Sequence, residues 1–90
     1  MASIVENEKG FKVIKLSEDE ARFLGWGVPE GIICMGCNEI IKGDIYFPCV
    51  LNDTFDKDCY EEWIKEAKYY PEDSKFEDRV FNYLKELLML

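Results

Sequence analysis

Histidine is absent from these 90 residues, and positive charge is scarce: eleven lysines and arginines face nineteen aspartates and glutamates, for a net charge of -8. Without histidine the chain lacks the side chain whose ordinary pKa suits proton transfer near neutral pH. Acid–base catalysis is not expected, nor is any nuclease chemistry built on a histidine base, and the chain reads as non-enzymatic. The acidic balance argues against direct nucleic-acid binding, because phosphates must be met by lysine and arginine. No apolar run is long enough to span a bilayer, and residues 1–10 carry no basic flank followed by an apolar core. No membrane partner is expected, and the expected location is cytoplasmic. Repeats and low-complexity stretches are also missing, and Leu87-Leu88-Met89-Leu90 is not a prenylation signal.

The chain has enough apolar material to fold. It is 48% hydrophobic and 14% aromatic, the balance of a globule rather than a disordered tail. Its length predicts a single domain over 1–90, and a core this small would gain from a metal staple.

All four cysteines fall between residues 34 and 59. Cys34-Met35-Gly36-Cys37 puts two thiolates two residues apart in a tight turn, where both can face one ion, and Gly36 is read as the position free to take positive φ. A lone C-x-x-C pair suits redox chemistry equally well. Cys59 weighs against that, because it falls where a helix should open, with Tyr60, Trp63, Ile64 and Ala67 recurring on one face. A thiolate there meets the positive end of the helix dipole, which lowers its pKa and suits a metal ligand. With Asp56 included, the pattern is C-x2-C-x18-D-x2-C. Zinc is the expected ion, since no secretion signal accompanies the cysteines. The competing readings are a reduced metal-free core or a disulfide with odd thiols.

A two-cysteine knuckle, a hairpin and a helix whose first turn carries the last ligand resemble the treble-clef arrangement. The spacing is similar to one zinc module of a LIM domain. Ile40-Ile41-Lys42-Gly43-Asp44 and Cys59-Tyr60-Glu61-Glu62-Trp63 sit where such modules carry their turn and helix start. The resemblance covers residues 32–65. It departs from the family in having Asp56 where histidine is usual and in lacking a second zinc module. It implies a structural zinc site and a treble-clef-like fold.

The fourth ligand stays open between two residues. Position favours Asp56, and the family pattern tolerates aspartate. Ligand chemistry favours Cys49, since zinc prefers thiolate and four-cysteine sites are common. A two-residue turn at Asn52-Asp53 would pair Leu51 with Thr54 and set Cys49 opposite Asp56. The expected set is therefore Cys34, Cys37, Cys49 and Cys59, with Asp56 as the alternative to Cys49 or as a group behind it. Cys49 also shares a strand face with Ile45, Phe47 and Leu51, which makes a buried thiol the competing reading. Four thiolates and one zinc would carry the net charge to about -10.

The expected class is α+β: a small zinc-binding treble-clef-like module of knuckle, β-hairpin and helix over 32–69, an N-terminal strand and short helix over 11–31, and a C-terminal helix over 74–89. Residues 1–10 read as frayed, with Ile4 and Val5 the candidates for docking. Residues 11–16 read as a strand, and Ser17-Glu18-Asp19-Glu20 as a capping box opening a helix that Gly25 stops. Trp26 is read as core, with an exposed contact as the alternative. Residues 45–51 read as a strand made an edge or bulge by Pro48. A helix over 57–68 follows, with Asp58 and Glu61 competing with Asp56 to cap it, and Tyr69-Tyr70-Pro71 breaks it. Ser74-Lys75-Phe76-Glu77 reads as a second capping box. Phe76, Val80, Phe81, Tyr83, Leu84, Leu87 and Leu88 make the last helix apolar over more than one contact surface, leaving room for a homodimer as well as for the chain's own core.

The leading expectation is a structural-zinc adaptor for a protein partner. An acidic inhibitor imitating nucleic acid, of the kind found in phage and mobile elements, is the alternative, since residues 56–78 carry nine acidic and four basic side chains. A thiol redox protein using Cys34 and Cys37 comes third.

Overall fold

Val13-Ile14-Lys15-Leu16 is apolar on both faces except at Lys15, so a strand there must be covered on both sides. The computed structural model, in which residues 2–90 are described, makes it the centre of an antiparallel sheet. Strand β2 (Val13–Leu16) lies between β1 (Ser3–Val5) and β3 (Ile45–Pro48), with Val5 opposite Val13 and Leu16 opposite Ile45. Three helices complete the α+β fold: α1 (Glu18–Phe23), α2 (Lys57–Glu66) and α3 (Ser74–Leu88), the last preceded by a 3-10 turn at Pro71–Asp73. No helix among the described residues is long and apolar enough to cross a membrane.

The first residues are more ordered than expected. Apart from Met1, which lies outside the described residues, the segment read as frayed supplies an edge strand. Ala2 is buried and its N–H donates to Glu20 Oε2 at 2.6 Å, while Ile4 faces outward. Farther on, Lys9 Nζ donates to the carbonyls of Lys65 and Ala67, at 2.8 and 2.7 Å, and so closes the C-terminal end of α2.

The expected capping box opens α1: the Ser17 hydroxyl accepts the Glu20 N–H, and the Glu20 carboxylate accepts the Ser17 N–H. Gly25, at φ 83°, ends that helix, with the Trp26 N–H bonded to the Ala21 carbonyl and the Gly25 N–H to Arg22. Trp26 then stacks on Phe47, 4.6 Å between ring centroids, and so belongs to the core rather than to a free contact.

The box at Ser74 to Glu77 does not form. Ser74 is already inside the helix, and Glu77 is wholly buried, where it accepts the Lys12 N–H at 3.0 Å and the Tyr69 hydroxyl at 3.2 Å. Tertiary partners outbid the local one for this carboxylate. Its neighbours on the helix, Phe81 and Leu84, pack into the core formed by Val13, Ile14, Leu16, Ile32, Ile45 and Phe47.

The decisive departure is the end of β3. The strand stops at Pro48 rather than continuing to residue 51, and the Pro48 carbonyl takes the N–H groups of Leu51 and Asn52 at 3.1 and 3.0 Å. Asn52 adopts a left-handed φ of 55°, and the chain returns to pair Phe55 with Tyr46. A wider loop of this kind sets the register from Tyr46–Phe55, so Asp56 comes level with Ile45 and not with Cys49.

Candidate metal centre

The knuckle is held by its own backbone. The Ile41 N–H reaches the Ile32 carbonyl, Cys34 N–H the Glu39 carbonyl and Asn38 N–H the Cys34 carbonyl, each at 2.8 Å. Asn38, not Gly36, takes the left-handed conformation that reverses the chain, at φ 62°. Glycine is needed at position 36 for another reason: a Cβ there would meet Cys59 Cβ at 2.9 Å and Cys59 Sγ at 3.0 Å. The positive φ expected of Gly36 is thus replaced by a close approach between the knuckle and the first turn of α2.

Thr54 fixes that approach. Its carbonyl accepts the Met35 N–H and its hydroxyl donates to the Ile33 carbonyl, both at 2.8 Å. Asp56 follows as the N-cap of α2, with Oδ1 accepting the Cys59 N–H at 2.7 Å. Asp58 and Glu61 therefore do not cap this helix. The second oxygen, Oδ2, is left facing the Cys37 sulfur at 3.5 Å.

Cys34, Cys37, Asp56 and Cys59 come together as a result, with one donor atom from each lying within 4.8 Å of all the others. Zinc–sulfur bonds of about 2.3 Å put tetrahedral ligand atoms about 3.8 Å apart. Three sulfurs and a carboxylate oxygen at this spread need only a small contraction, so the donor set fits a zinc ion in both chemistry and size. Cys34 is fully buried, Cys37 exposed, and Asp56 and Cys59 lie between.

Cys49, the expected fourth ligand, is carried away from this cluster by the loop register, and Asp56, the expected alternative to it, stands there instead. Cys49 is a fully buried thiol that the cluster does not include, and its N–H bonds the Lys12 carbonyl at 2.9 Å. Burial first, and the nearby Glu77 carboxylate second, push this thiol up to about 12, the behaviour of a packing residue.

The four donor groups crowd one another electrostatically. Burial pushes the Cys34 thiol up, but the N–H groups of Asp56, Cys37 and Gly36 outweigh it and leave Cys34 below the ordinary thiol value. Two of those donors, Gly36 and Asp56, lie 3.3 and 3.4 Å from the sulfur. The Cys59 N–H holds the Asp56 carboxyl below its usual range. Cys59 is pushed up, by its hydrogen bond to Cys34 first and burial second, and these override the lowering expected from the helix dipole. Cys37 is also raised: the Glu39 N–H favours its thiolate, but burial and the Cys34 and Asp56 side chains together prevail. Once Cys34 and Asp56 are ionised, further ionisation meets like charge, and a divalent cation would remove that penalty.

The aspartate in D-x-x-C was the signal for this set, since a residue that prefers N-caps stood three before a cysteine at a helix start. Thr54 gave no comparable signal. Compared with known proteins, the chain matches no family model, no curated protein and no solved structure.

Proposed function

We infer that the protein is a structural-zinc protein acting as a non-catalytic adaptor for another protein, its ion held by Cys34, Cys37, Asp56 and Cys59. The observation that carries this reading is the convergence of those four donors. The zinc supplies cross-linking of the knuckle to the start of α2, as in the treble-clef modules that the spacing resembles. Four protein donors leave no coordination position for substrate, which supports a structural role over a catalytic one. Exposed apolar residues beside the knuckle, Val28, Met35 and Ile40, supply surface for a protein partner.

Metal analysis of protein purified under reducing conditions tests the first part, with one equivalent of zinc expected and less than about half an equivalent counting against it. Replacing zinc by cobalt adds a thiolate-to-metal absorption band, which Cys59→Ser should weaken and Cys49→Ala should leave intact. Pull-down of a partner that is lost on surface substitution of Met35 would support the adaptor role.

The nucleic-acid-mimicking reading draws on one specific observation, the exposure of Asp58, Glu61, Glu62 and Glu66 along α2. It requires partner binding that weakens steeply with salt and fails when Glu61 and Glu62 are neutralised. The redox reading is disfavoured by the division of properties within the pair. Cys34 has the lowered pKa but is buried, whereas Cys37 is exposed with a raised one.

A further inference from the structure

Helix α3 carries two apolar stripes, and its own core uses only one. Glu77, Phe81 and Leu84 are buried, whereas Phe76, Tyr83 and Leu87 are 46%, 62% and 39% exposed. At about 100° per residue the stripes are centred roughly a quarter-turn apart, so the outer one is a separate surface. Together with the half-buried Val80, its members fall at 76, 80, 83 and 87. Spacings of four, three and four residues are those of a coiled-coil seam.

The charges on this helix are unlike those of the rest of the chain. Lys75, Arg79 and Lys85 balance Glu77, Asp78 and Glu86, leaving α3 neutral in a protein of net charge -8. Arg79 and Glu86 are exposed, flank the seam on the side away from the core, and make no ion pair among the described residues.

We propose that α3 pairs antiparallel with α3 of a second copy of this chain. Phe76 of one copy meets Leu87 of the other, Val80 meets Tyr83, and Arg79 of each copy faces Glu86 of its partner. The helix is complementary to itself only in this direction. A two-fold axis near the middle of the seam superposes all four apolar positions and forms both charge pairs at once. In a parallel pair, Arg79 would instead face Leu84, which is buried in its own core. The contact is short, which places it among transient interfaces rather than obligate ones. Such a dimer would present two metal centres and make the adaptor bivalent, although the pairing itself does not depend on the metal reading.

Sedimentation equilibrium of the full chain over a range of concentrations tests the proposal. A concentration-dependent dimer is expected, and Tyr83→Glu should abolish it while circular dichroism stays unchanged. Arg79→Glu and Glu86→Arg should each weaken self-association by about tenfold, since two attractions become two repulsions. An equimolar mixture of these two variants should recover it, because both cross-pairs are again opposite in sign. A chain that stays monomeric at every concentration overturns the proposal. So does a dimer indifferent to either charge reversal, and so does a mixture that fails to recover.

Discussion

Asp56 holds two jobs with two oxygens, and they can be separated. Oδ1 caps α2 through the Cys59 N–H, and Oδ2 faces the sulfur cluster. Asp56→Asn keeps a competent N-cap but replaces the carboxylate donor with a neutral amide, whereas Asp56→Ala removes both. In the metal-free chain, Asp56→Asn should stay within about half a kcal/mol of the parent, and Asp56→Ala should lose about 1 kcal/mol. For a domain of this size that loss is roughly 4–8 °C in Tm. With zinc, both variants should bind at least about tenfold more weakly, a cost of roughly 1.4 kcal/mol or more. Urea unfolding with and without chelator reads the first quantity, and competition against a chromophoric chelator reads the second. Cys49→Ala is the control: it should lose about 1–2 kcal/mol from the cavity left in the core while keeping the parent's zinc affinity. If Asp56→Asn bound zinc like the parent and Cys49→Ala did not, the donor assignment would be refuted.

Three other perturbations probe separate parts of the molecule. Gly36→Ala should cost about 1–3 kcal/mol through its clash with Cys59, and zinc affinity should fall with it; wild-type values for both would mean that the knuckle has room it is not thought to have. Glu77→Ala should destabilise the chain by about 1–3 kcal/mol in urea, because the half-buried Lys12 N–H and the Tyr69 hydroxyl both lose their acceptor; a loss below about 0.5 kcal/mol would contradict that account. The pH dependence turns on Glu20. Burial pushes its carboxyl up, but the Ser17 and Ala2 N–H groups outweigh this and hold it below the ordinary glutamate value. Its contribution is therefore complete above that value and fades as the pH falls through the lower, folded-state pKa. Glu20→Gln should flatten the acid limb of a stability-versus-pH curve, and an unchanged limb would count against the assignment.

Features written in contiguous residues were legible in the sequence, and features set by distant ones were not. Ser17 and Glu20 make their box because both partners lie within one turn. Ser74 and Glu77 spell a similar signal, but Lys12 and Tyr69 offer Glu77 a buried alternative that no local pattern reveals. Cys34, Cys37 and Cys59 were readable from spacing and helix onset. The choice between Cys49 and Asp56 depended on the loop after Pro48, where a change of register moves every facing residue. Ala2 to Val5 looked frayed because a three-residue strand carries little signal until β2 and Glu20 are there to hold it.

Cys34 sits sealed beneath the surface, with two amide hydrogens turned to its sulfur, while Cys37 stands in the solvent. An ion in this cradle would have a front door and a back wall. Scavenging chelators and oxidants would have to start at Cys37, and Cys34 would be the last ligand to let go. Release would then proceed by peeling from one rim, at a rate governed by that single outward thiolate.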